Sequence, residues 1–262
     1  IDIARRDWDS FETSWDFVRH PFLTYGEGAS TIEAAFDRWS GFADSQFQRM
    51  KRNEEELNRL SIEIYGLEHE MSPEVSHEDI TIQRADRELD VRSFISYAVG
   101  CMLGRYSLDE DGLAYAGGEF DISKYHSFVP DRDGVLPVLD DEYFKDDIVG
   151  RFVEFVKVCF GAVALEENLE WIATSLGRRA EETSRDTIRR YFLDEFYRDH
   201  VRTYRKRPIY WMFSSGRQKA FQALIYMHRY KSDTVALART RYLLELESRI
   251  DARVKSLQKS ID

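Results

Sequence analysis

Between Ala29 and Gly66 the apolar residues return every three or four positions: Ile32, Phe36, Trp39, Phe42 or Ala43, Phe47 and Met50, then Leu57, Leu60 and Ile64. That period is one face of an α-helix, sustained over nine or ten turns. Ser30 or Thr31 supplies an N-terminal cap with Glu33 in the first turn, and Gly66 suits the C-terminal cap with Pro73 beyond it. Gly41 and Asn53 are places where it could bend. A helix this long spaces modules apart, so the chain is expected to be mainly α, with whatever else it contains hung from long helices.

A clear departure from helix lies in RKRPIYWMFSSGRQKAFQALIYMHRY, Arg205 to Tyr230. Pro208 stops any helix from continuing through it. Two β-prone runs, Ile209–Phe213 and Phe221–His228, flank the turn signal Ser214-Ser215-Gly216, which predicts a β-hairpin. Arg205, Lys206 and Arg207 stand at its base, Arg217 and Lys219 at its tip, with aromatic residues between. Cations alternating with aromatics suit a surface that meets phosphate and base. The plain alternative is a packed hairpin whose cations are only solvated.

The remaining periodicities are helical. They predict a short aromatic segment over residues 1–28 and helices over Arg84–Tyr106, Ile148–Phe160, Leu165–Leu176 and Ser184–Tyr204. A last helix capped by Asp233 carries a near-heptad seam of Val235, Ala238, Tyr242, Leu246, Ile250, Val254, Leu257 and Ile261, which predicts a coiled-coil arm or a helix continuing further. Residues 107–139 are punctuated by glycine and proline and form an irregular insert, with short strands expected at Leu113–Ala116 and Val135–Leu139; another is possible at Asp79–Ile82. Lys124, Tyr125 and His126 sit mid-insert, where a recognition loop would present them. The class is therefore mainly α (α+β): long helices, a small β-hairpin and an irregular strand-containing insert. Its expected divisions are 1–66, 67–182 and 183–262.

Net charge is -11 over 262 residues, yet residues 183–262 hold 18 basic against 9 acidic residues. The acidic total conceals a basic C-terminal third, which points to an anionic partner, or to an acidic half docking on a basic half within one fold. No apolar run approaches the roughly 20 residues of a membrane span. Cys101 and Cys159 lie apart in helical patterns, reading as two buried, reduced thiols of a cytoplasmic protein. The start IDIARRDWDS has neither initiator Met nor signal-peptide core and reads as a cut from a longer protein.

Catalytic signatures are missing from the sequence. It has no P-loop, no G-x-G-x-x-G after a strand, no G-x-S-x-G elbow, no H-x-x-x-H spacing, and no Asn-Pro-Pro-aromatic tetrapeptide of amino-group DNA methyltransferases. Asp140, Asp141, Asp146 and Asp147 could be read as paired catalytic carboxylates, even as a hydrolase site, but acids before a helix are ordinarily dipole partners.

Four stretches taken together, DWDSFETSWDF (7–17), NEEELNRLSIEIYGLEHEMSPEV (53–75), RSFISYAVGCMLGRYSLDEDGLAYAGGEF (92–120) and RPIYWMFSSGRQKAFQALIYMHRYKSDTV (207–235), resemble the PglX family. These are the adenine-specific DNA methyltransferases of BREX phage-defence systems, related to type IIG and Eco57I-like restriction-modification enzymes. The resemblance spans nearly the whole chain and implies an internal piece of a longer enzyme, whose S-adenosylmethionine and catalytic motifs lie upstream. No catalytic, cofactor or metal residue is carried over to this chain. It implies a non-catalytic spacer and DNA-recognition region, with partners in double-stranded DNA, the rest of the parent chain and other defence-system proteins, and no membrane. Arg205, Lys206, Arg207, Arg217 and Lys219 are the expected DNA-binding residues, with Lys124 and His126 from the insert. The rival reading is a protein-interaction scaffold that docks other defence components without touching DNA.

Overall fold

A computed structural model describes residues 1–261, with side chains as far as Lys259. The chain divides into two compact units, Ile1–Ser93 and Phe94–Asp262.

In the first unit, α1 (Asp2–Asp9) and α2 (Pro21–Thr24) precede the helix that the long stripe predicts, α3 (Ile32–Tyr65), an unbroken 34 residues. At about 1.5 Å per residue it runs some 50 Å. Thr31 Oγ1 accepts the Ala34 N–H at 3.2 Å, closing one of the unpaired donors of the first turn. Gly66 ends the helix at φ 66°, the left-handed conformation a Cβ would disfavour. The first half of α3 buries Ala35, Trp39, Ala43 and Phe47. Tyr25 stacks on Phe42 with centroids 4.4 Å apart, and Ile3, Phe47, Ile80 and Ile82 make a small core. The possible strand at Asp79–Ile82 does not form. His77–Asp79 is a 3₁₀ turn, and Ile80 and Ile82 are buried with no strand pairing among the described residues.

α4 (Arg87–Leu103) carries the chain into the second unit. There Phe94 meets Phe152, Phe155 and Phe160 of α5 (Ile148–Phe160), and Phe152 meets Phe192. α6 (Leu165–Ser175) packs on α7 (Ser184–Tyr191), which passes through a π-helical turn, Phe192–Phe196, into α8 (Tyr197–Thr203). The expected single helix over 184–204 thus carries a bulge inside it. Cys101 is buried and Cys159 half-buried, and neither forms a disulfide.

The insert supplies β1 (Val135–Pro137), and the hairpin supplies β2 (Tyr210–Ser214) and β3 (Gln222–Tyr226). The antiparallel order is β1-β3-β2, with Leu136 opposite Leu224 and Met212 opposite Leu224 on the other side. Leu113–Ala116 is reduced to one bridge, Tyr106 to Leu113. Gly100 lets the sheet approach α4: a Cβ there would stand 2.4 Å from the Tyr106 ring and 3.1 Å from Tyr210 Oη. On the opposite face Val135, Ala223 and Ile225 pack under Tyr242 and Leu246. Those two belong to the last helix, α9 (Thr234–Leu237) running through a π-helical stretch, Ala238–Leu243, into α10 (Leu244–Ile261). The seam is therefore divided. Ala238, Tyr242 and Leu246 are buried; Val235, Ile250, Val254 and Leu257 are exposed, and the Ile261 side chain lies outside the described residues.

Candidate nucleic-acid interface

Half of the cations in the basic third of the chain are paired with acids from within. Arg189 grips Asp147 through both its nitrogens at 2.8 and 2.9 Å, Arg185 does the same to Glu166 at 2.7 Å, and Arg190 meets Glu182 at 2.7 Å. Along the last helix Arg241 reaches Asp133 at 2.7 Å, Arg253 reaches Asp141 at 3.0 Å, and Arg249 meets Glu245 at 2.9 Å. Asp147 also caps α5, accepting the Val149 and Gly150 N–H groups at 3.0 and 3.1 Å. The acids before that helix thus act as cap and counter-charge. Here the acidic stretch does dock on the basic one, and these cations are spent.

Arg205, Lys206 and Arg207 differ. All three are exposed and none has an acidic partner among the described residues. They form the turn that ends α8: the Lys206 N–H bonds to Val201 O at 2.8 Å and the Arg207 N–H to Tyr204 O at 2.9 Å. Arg205 and Lys206 hold φ at 49° and 64°. Left-handed backbone at two successive side-chain-bearing residues costs on the order of 1 kcal/mol each, where glycine would cost little. Arg205→Gly is accordingly expected to raise the unfolding free energy by about 0.5–1 kcal/mol while weakening any anion bound at the turn. Chemical denaturation beside a binding titration reads both, and a change of the same sign in the two would sink the idea.

His200 fixes this turn to the sheet. Its Nε2 accepts two successive backbone N–H groups, Ile209 and Tyr210, each at 3.1 Å, and its ring stacks on Tyr210 with centroids 4.6 Å apart. Burial, aided by the charge of Arg105, pushes its pKa down to about 3, so the ring stays neutral and accepting. Beyond it Trp211, four residues past Arg207, and Tyr230 are partly exposed, with ring centroids 5.4 Å apart and planes inclined at 60°.

Arg217 is exposed at the hairpin tip with no acidic partner among the described residues. Lys219 leans back, 3.6 Å from Asp194 and 3.5 Å from Leu193 O. In the insert the Lys124 ammonium donates to Ala114 O at 3.3 Å. His126 is exposed beside it, its backbone N–H held by Asp109 at 2.7 Å. The structure thus sets Arg205, Lys206 and Arg207 together on one held turn and Arg217 at the far end of the hairpin; Lys219 and Lys124 are tied to their own surroundings. Sequence reasoning passed over His200, although a histidine eight residues before a Pro-initiated strand was the available signal.

The second unit also has a recess of about 960 Å³ beside α10, lined by Arg132, Tyr143, Phe144, Lys145, Tyr242 and Arg249. Tyr242 donates to Asp146 at 2.7 Å. Burial, then the neighbouring Asp133, raises the Asp131 carboxyl to about 6 while its Oδ1 accepts the Gly134 N–H at 2.7 Å. These groups satisfy one another and hold the insert in place. Among the described residues no group of His, Cys, Asp and Glu is placed to bind a metal, and no helix is long and apolar enough to cross a membrane.

No family model matches the chain. It is 47% identical over 265 residues to Adenine-specific methyltransferase PglX of Lacticaseibacillus casei (strain Zhang), covering 99% of this chain and 22% of that protein. It is 36% identical over 289 residues to Adenine-specific methyltransferase BrxX of Escherichia coli O9:H4 (strain HS), covering 100% of this chain and 24% of that protein. The class these matches define is the adenine-specific methyltransferases, which the chain resembles from end to end. Within that class it is a PglX-like fragment, spanning less than a quarter of the length of the curated relatives it matches.

Proposed function

We propose that this chain is a non-catalytic DNA-gripping and spacing region of a PglX-like, S-adenosylmethionine-dependent, adenine-specific DNA methyltransferase acting in phage defence. The observation that carries this reading is the held turn Arg205-Lys206-Arg207. It presents three uncompensated cations in a unit whose other arginines are largely paired, within a chain that matches adenine-specific methyltransferases from end to end. Arg217 extends the grip along the hairpin, and Trp211 and Tyr230 offer faces for an unstacked base or sugar. α3 serves as the spacer. The cofactor would be held elsewhere in the parent protein: this sequence has no Gly-rich phosphate loop and no Asn-Pro-Pro-aromatic tetrapeptide, so no step of methyl transfer is assigned to its residues.

The test is fluorescence anisotropy of a labelled duplex titrated with this chain over a salt series. Three phosphate contacts should give a log–log salt slope of roughly -3, a loss of about 40-fold between 50 and 200 mM salt. The variant R205E/K206E/R207E is expected to remove that slope. A flat salt response in the wild type, or a variant that binds as well, would overturn the assignment and favour the scaffold reading.

A further inference from the structure

The last third of α3 turns its apolar face outward. The inward side is fastened by polar contacts: Asn58 donates to Pro73 O at 3.3 Å, Glu55 accepts the Val75 N–H at 3.4 Å, and Ile62 is buried. Leu57, Leu60 and Ile64 stand on the outward side, 64%, 47% and 78% exposed. Their spacing, i, i+3 and i+7, is one continuous helical stripe of about 10 Å. Tyr65 and Met71 extend it, and Met71 also lines a groove of about 340 Å³ with Ile62, Glu63 and Glu68. Large side chains arranged in a stripe, rather than scattered singly, mark a surface that something covers.

The charge around the stripe says what kind of molecule that is. Residues 54–79 contain nine acidic residues and one basic residue, Arg59. Arg59 is already paired with Glu56. Glu54, Glu63, Glu68, Glu70 and Glu74 have no basic partner among the described residues. Such a rim repels nucleic acid and any acidic protein, and it rewards a partner that brings leucine-like side chains flanked by lysine or arginine. We propose that this face of the first unit docks a basic amphipathic helix of another protein, laid against Leu57, Leu60 and Ile64. The site is on a different unit from the basic turn and does not depend on the DNA reading.

The probe is a labelled 20-residue helical peptide with leucines at i, i+3, i+4 and i+7 and lysines elsewhere, titrated with the whole chain at 150 mM salt. Two controls are a scrambled peptide of identical composition and the same peptide with glutamate for lysine. Both controls are expected to bind at least about tenfold more weakly than the probe. L60S/I64S should lose about a hundredfold, since each stripe residue buried on docking contributes about a tenfold factor. These side chains are exposed, so the variant keeps its fold, which its thermal midpoint verifies. Equal binding of the scrambled peptide would reduce the effect to charge and overturn the proposal, as would indifference to L60S/I64S. A dimer seen by light scattering and abolished by L60S/I64S would also overturn it, by giving the face to a second copy.

Discussion

Asp147→Ala is expected to lower the unfolding free energy of the second unit by about 4 kcal/mol. The Asp147 side chain is 2% exposed and serves two structures at once. It caps α5 through two backbone N–H groups, and it is the counter-ion of Arg189, which also donates to Leu139 O at 2.8 Å. Removing a cap costs about 1 kcal/mol. Leaving a mostly buried guanidinium without its carboxylate costs about 3–5 kcal/mol when nothing replaces it. Asp147→Asn separates the parts, since the amide oxygen can still cap while the charge is gone, and should fall between wild type and alanine. Urea unfolding followed through Trp171 and Trp211, the tryptophans of this unit, measures both. An alanine variant within 1 kcal/mol of wild type would show that water takes over both roles.

Acid should loosen the hairpin base through His200. Its folded pKa, about 3, lies below the ordinary histidine value of 6.5. A base with a depressed folded pKa contributes stability that is fully present above 6.5 and lost as pH falls toward 3, because the unfolded chain takes up the proton first. Between pH 6.5 and 5 the loss is about 2 kcal/mol, at about 1.4 kcal/mol per pH unit. Asp131 acts in the opposite direction. Its raised pKa, about 6, makes its stabilising contribution complete below the ordinary carboxylate range and lost as pH rises through 6. The informative quantity is therefore the difference between wild type and His200→Gln, whose amide oxygen can accept a backbone N–H but does not titrate. That difference should shrink by about 2 kcal/mol on going from pH 6.5 to 5, with the wild type losing more. A difference independent of pH would mean His200 is not held neutral.

What the sequence disclosed depends on how local each cause is. Thr31 and Gly66 mark the ends of α3 because a cap hydroxyl and a left-handed glycine act within one turn, and both are found where expected. Val135–Leu139 reads as a strand from its own residues and Val135–Pro137 forms one, but its partner, β3, is some ninety residues away and no local signal names it. The π-helical turns at Phe192–Phe196 and Ala238–Leu243 were equally hidden, since their apolar spacing passes for ordinary helix. Leu113–Ala116 has strand composition, yet Gly112, Gly117 and Gly118 all take positive φ and turn the chain away after one bridge. The alternation of Ile80 and Ile82 meant burial rather than pairing. Charge shows the limit most plainly. The excess of Arg and Lys after residue 183 could be counted, but only the fold separates Arg189, Arg241 and Arg253, spent on acids, from Arg205, Lys206 and Arg207, left free.

The sheet order also governs how this unit comes into being. β3 is the middle strand, so β1 hydrogen-bonds nothing in the sheet until residues 222–226 have been synthesised. α4 and α5 precede that point and can collapse on each other early, through contacts such as Phe94 with Phe152. The insert must wait. Pairing over so long a separation carries a high contact order and a loop-closure cost that the hairpin, closing on itself, does not bear. On a ribosome the nascent unit would hold Val135 and Leu136 uncovered until the hairpin and then Tyr242 emerge, the interval in which a chaperone, or aggregation, has its opportunity.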